Sequence, residues 1–155
     1  MSDQTQSKRK TFWNPFQSIQ GEKEATDAAN AGVVVAGFLA LSYLVQAAFV
    51  YYTGKDTFGH SDGLVTFLAD VSGILLAVYL GWMIRATQSL GAAIFTALWY
   101  AFELALKAMA IVEGLHKTNP GFIVMFAALF VAAILSVRGS WKLRQLRLSP
   151  SEQRE

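Results

Sequence analysis

Four apolar runs, each close to the thickness of a bilayer, decide what this chain can become. They cover about 28–52, 64–84, 90–112 and 122–137, the last extending to Trp141 with no charge before Arg138. A helix needs ~20 mostly apolar residues to cross a hydrocarbon core. Inside lipid every backbone N–H and C=O must be bonded within the protein, which leaves helices or closed barrels. A barrel would need short segments alternating in polarity, and none are present. The expected fold is therefore an all-α membrane protein with four transmembrane helices at about 28–52, 64–84, 90–112 and 122–141. Composition agrees: 54% of the 155 residues are hydrophobic and 15% charged, against ~25% charged in a soluble domain.

The connections are short, and Gly54, Gly59, Gly63, Gly114 and the run 119–121 (Asn-Pro-Gly) mark helix ends. Short connections set consecutive helices side by side and antiparallel, giving an up-down bundle. Residues 1–27 are read as a cytoplasmic N-terminal segment, 28–141 as the transmembrane domain and 142–155 as a basic cytoplasmic tail. Both termini are expected on the cytoplasmic side of a bacterial inner membrane. Lys8, Arg9, Lys10 and Lys23 precede the first helix, Arg85 follows the second, and Arg138, Lys142, Arg144, Arg147 and Arg154 close the chain. The other two loops hold only Lys55 and Lys117, so the bias follows the positive-inside rule. The first apolar block starts after a polar stretch too long for a signal-peptide n-region, so no cleavable signal is expected. Trp13 and Phe16, beside a basic cluster, and Trp141, amid arginine and lysine, read as anchors at the membrane surface.

Within the third run stand Glu103 and Lys107, one helical turn apart. Lys107 lies five positions before Val112, ~8 Å from the helix end, and its stem can snorkel that far. Glu103 lies ~14 Å deep, near the middle of a ~30 Å core, and can reach neither surface. An acid at that depth costs roughly 2.5–3.5 kcal/mol on insertion scales, so it must face the bundle and find a partner. Lys107 supplies one in the Glu-before-Lys order that favours a pair four residues apart. Asp70 and Gln46 fall at a similar depth on the second and first helices. Ala92, Thr96, Trp99, Glu103 and Lys107 form one stripe on the third helix; Thr66, Asp70, Gly73, Ala77 and Gly81 form a small-residue stripe on the second. The expectation is that these two faces pack together, with Asp70, Glu103, Lys107 and Gln46 as an intramembrane polar cluster that Tyr43 and Tyr100 extend.

A weak tandem repeat is visible. Residues 40–48 (ALSYLVQAA) and 97–105 (ALWYAFELA) align without gaps and pair Tyr43 with Tyr100 and Gln46 with Glu103. Such a repeat would give a two-fold relation about the membrane normal.

No nucleophile motif, phosphate loop or metal-protease spacing occurs, so the sequence points away from an enzyme. The chain has no cysteine, which removes thiol chemistry and thiolate metal sites. His60 and His116 fall at helix ends on one side and are the only candidates for a bis-His metal or haem site. They lack a third ligand at metal spacing, and the expectation is no cofactor. Nothing resembles a nucleic-acid motif. The partners expected are the bilayer, together with a second copy of the chain or another membrane subunit. The functional expectation is a non-enzymatic structural or accessory component of a membrane assembly; the alternative is a small transporter or ion- or proton-conducting protein that uses the Asp/Glu/Lys cluster.

Overall fold

The computed structural model describes residues 18–19, 21–55, 63–112 and 120–148. These form four helices: α1 (Glu22–Thr53), α2 (Gly63–Thr87), α3 (Leu90–Val112) and α4 (Pro120–Leu148). All four are long and apolar enough to cross a membrane, the make-up of a small membrane protein. Two helices outrun their apolar cores. α1 starts at Glu22 and α4 continues to Leu148, so the α4 residues assigned above to a tail begin as helix. At 1.5 Å per residue the 32 residues of α1 extend ~48 Å, well beyond a ~30 Å core.

Local chemistry explains the ends. Glu22 and Glu24 occupy the first turn of α1, where carboxylates complement the helix dipole. Gly54 closes α1 in the left-handed conformation (φ 67°), and its N–H bonds Val50 O at 2.8 Å. That conformation costs glycine little because it has no Cβ. The turn between α2 and α3 is only Gln88 and Ser89, tighter than the five residues left between the expected spans 64–84 and 90–112. Gln88 takes a positive φ of 51°, and Ser89 Oγ caps α3 by accepting the Ala92 N–H at 3.3 Å. Arg147, near the end of α4, donates to the Gln88 side-chain oxygen and so joins the C-terminal end of α4 to this turn.

Among the described residues the α1 backbone lies close to all three other helices, whereas the backbones of α2 and α4 do not approach each other. The bundle is a ring α1–α2–α3–α4 flattened so that α1 and α3 meet across it. Small residues permit this. Ala25, Ala28, Ala29, Ala31 and Ala36 of α1 are buried, as are Ala132, Ala133, Ser136 and Ser140 of α4. Without a hydrophobic drive between helices in lipid, such residues let backbones approach closely enough for dispersion contacts. A side chain on Gly139 would stand 2.6 Å from Ala25 O and 2.8 Å from Ala28 C. Ser136 donates to Ala29 O at 2.9 Å in the same interface. Val35, Leu39, Tyr100, Leu129 and Leu135 fill the space between α1, α3 and α4.

The small-residue stripe of α2 faces α1 at the two glycines that can be placed, rather than α3 as the sequence suggested. A side chain on Gly73 would meet the Tyr43 ring at 3.0 Å, and one on Gly81 would meet Ala36 Cβ at 3.3 Å. The physical reason is α1's own run of alanine and glycine, which accepts α2 on one side and α4 on another. α3 has alanines of its own but exposes Leu98, Phe102, Leu106 and Met109.

Candidate functional site

The polar side chains of the bundle's middle gather where α1 crosses α3. Tyr43 sits on the α1 face that Gly73 of α2 leaves open, and its ring lies 5.5 Å from that of Trp99. From there the Tyr43 hydroxyl donates to Glu103 Oε1 and accepts the Trp99 Nε1–H at 3.1 Å. Lys107 Nζ donates to the other oxygen, Glu103 Oε2, at 3.1 Å, one turn along α3. The result is a chain Trp99–Tyr43–Glu103–Lys107 that leaves α3, crosses to α1 and returns. The Glu103 side chain is 16% exposed and that of Lys107 33%, so the carboxylate sits inside while the ammonium leans outward. The pair is neutral taken together, which suits a half-buried position among apolar side chains.

Asp70 is the second acid at this level. It lies on α2, 4% exposed, within electrostatic range of both Glu103 and Tyr43. Its Oδ2 has no hydrogen-bond partner among the described residues. The site thus holds two carboxyl groups on two helices, one fully satisfied by the chain and one with an open acceptor.

The other expected members are not part of this chain of hydrogen bonds. Gln46 is half-buried on α1 and makes no hydrogen bond among the described residues. Tyr100 is buried, but its hydroxyl turns to α4 and donates to Phe126 O at 3.1 Å, with its ring edge-on to Phe38. The two tyrosines paired by the repeat therefore have different partners, one an acid on α3 and the other a carbonyl on α4. Trp141 is about half exposed near the end of α4. Trp13, Phe16, His60 and His116 lie outside the described residues. Among the described residues no cluster of three or more His, Asp or Glu side chains could hold a metal ion.

Trp99 is the member whose role sequence reasoning missed. A usable signal existed: it lies one turn before Glu103 on the same stripe, and an indole N–H in lipid needs an acceptor. Its acceptor is on another helix, however, and only the α1–α3 crossing reveals it. Comparison of the chain with protein-family models, with curated proteins and with solved structures finds no match.

Proposed function

We propose that this small membrane protein is a non-enzymatic structural or accessory component of a bacterial inner-membrane assembly, acting with a second copy of itself or another membrane subunit. In this reading the Glu103 chain of hydrogen bonds is a lock that fixes α3 against α1. The observation that carries it is that both Glu103 oxygens are already engaged, by Tyr43 and Lys107. A carboxylate with a donor from the bundle on each oxygen is tied into the packing rather than presented to cargo, and polar core groups are known to set register and partner choice. The α1–α3 crossing is also where such a lock is useful, because α3 exposes much of its apolar surface.

The finer topology belongs to the same proposal. Gly63 lies against Gly54, Gly73 against Tyr43 and Gly81 against Ala36, while Gly139 lies against Ala25 and Ala28. These pairs support an up-down bundle with α1 antiparallel to α2 and α4. Lysine and arginine placement supports both termini in the cytoplasm.

A second reading rests on Asp70. An almost fully buried carboxyl with an open oxygen, next to a Glu–Lys pair, is the arrangement expected of a proton- or cation-carrying site. Reconstitution into liposomes separates the two. The structural reading expects proton and cation flux under an imposed potential to stay at the protein-free level, for the wild type and for Glu103→Gln. A potential-driven flux that disappears in a folded Asp70→Asn variant would replace it with the second reading.

A further inference from the structure

Between α1 and α2 an apolar groove of about 200 Å³ opens on the surface of the bundle. The buried Ala36, Ala77 and Gly81 form its floor, at the place where Gly81 lies against Ala36. Val33 and Val78 flank it, and Trp82 and Arg85 stand toward the end where α2 leaves its apolar run. From Ala77 to Arg85 the groove follows α2 for ~12 Å at 1.5 Å per residue. Gly37 also lines it, and a side chain there would meet nothing within 4 Å. Glycine inside a helix is unfavourable against alanine, and nothing in this chain's own packing requires it at that position. Arg85 is exposed and makes no hydrogen bond or ion pair among the described residues. No acid lines the groove. On α2 the nearest acid is Asp70, about four turns away, and on α1 it is Asp27, which falls roughly a third of a turn off the face of Val33 and Gly37.

We infer that this groove binds one phospholipid of the adjoining leaflet, with the lipid phosphate on Arg85 and the first part of an acyl chain along Val33, Gly37 and Val78. The lining selects this ligand. A guanidinium presents a fork of donors that matches phosphate oxygens. Indole rings settle at headgroup level, so Trp82, three positions before Arg85, sets the cation at the depth of a phosphate. The remaining lining is apolar and runs inward from there, as a lipid chain does. A soluble anion would satisfy Arg85 yet leave those walls uncovered. A second copy of the chain fits worse. Two copies inserted the same way pair about an axis along the membrane normal, so this face would bring both Arg85 side chains together at one depth. Like charges with no acid in the lining oppose that contact.

Native mass spectrometry of the full-length protein, delipidated in mild detergent, tests this with phosphatidylglycerol, with diacylglycerol bearing the same chains, and with glycerol phosphate. Phosphatidylglycerol is expected to bind about fivefold more tightly than diacylglycerol, the worth of one cation beside an anionic headgroup. Glycerol phosphate should not displace it. Arg85→Gln should remove the difference between the two lipids. Gly37→Leu fills the groove at a position the fold leaves open, and should weaken both lipids about tenfold by excluding a few methylenes. It serves if the Arg85 variant does not fold. Ala105→Leu on the exposed face of α3 and Arg144→Gln on α4, both outside the lining, should each change binding less than about twofold. A photoreactive amino acid in place of Trp82 should label the lipid. Equal affinity for the two lipids, unchanged binding by Gly37→Leu, or the same loss in the variants outside the groove would overturn the inference. So would displacement by glycerol phosphate, or labelling of a second copy of the chain.

Discussion

A methyl group at Gly139 is expected to drive α4 off α1. In the present packing that methyl carbon would stand 2.6 Å from Ala25 O and 2.8 Å from Ala28 C, and it would crowd the Ala29 backbone N as well. These are main-chain atoms of a regular helix. They cannot rotate away as a side-chain tip can, so the helices must separate. Separation also strains the 2.9 Å bond from Ser136 to Ala29 O and opens gaps beside the neighbouring alanines. Overpacking a tight interface costs ~1–3 kcal/mol, occasionally more, and the backbone clash places Gly139→Ala at about 3 kcal/mol. Reversible unfolding in mixed micelles reads the loss directly. Gly37→Ala is the control: a side chain there meets nothing within 4 Å, so stability should hold or rise by up to about 1 kcal/mol, the preference of a helix interior for alanine over glycine. Equal effects at the two glycines would mean that α1 and α4 are not packed at Gly139.

The second large effect is an asymmetry between Glu103 and Lys107. Removing the lysine's charge with Lys107→Met keeps the apolar stem but leaves a carboxylate deep in the bundle with Tyr43 as its remaining donor. Breaking a buried pair by deleting one partner costs ~3–5 kcal/mol. Glu103 keeps the Tyr43 bond and is 16% exposed, so about 2–3 kcal/mol is expected. Glu103→Gln is milder, because the amide can still accept from Tyr43 and the freed ammonium can snorkel outward. About 1 kcal/mol is expected, within the range of interhelical hydrogen bonds in membranes. Adding Glu103→Gln to Lys107→Met should therefore restore part of the lost stability. A double variant as weak as the sum of the single ones would show that the two side chains do not compensate each other.

Much of this could be read from the chain before any coordinates, and the reasons are uneven. The four helices follow from lengths of apolar sequence, which lipid imposes directly. The pairing of Glu103 with Lys107 follows from helical periodicity within one element. Which helices touch does not follow, because all four helices carry small residues and each could have been any neighbour's partner. The α2 stripe thus looked suited to α3, while Gly73 and Gly81 lie on α1 at Tyr43 and Ala36. The same ambiguity hid the Tyr43–Glu103 bond, whose members are 60 residues apart. Helix ends were set too short for a different reason. Polarity marks where a helix leaves the lipid, not where it stops, and between Trp141 and Leu148 no glycine or proline ends it.

The account depends most on Glu103 being held inside the bundle by a residue of another helix. A double-mutant cycle of Tyr43→Phe and Glu103→Gln, measured by unfolding in bilayer-like micelles, tests that bond alone. A favourable coupling of about 1 kcal/mol between positions 43 and 103 is predicted. Effects that add to within about 0.3 kcal/mol would contradict it, since side chains that do not meet are independent.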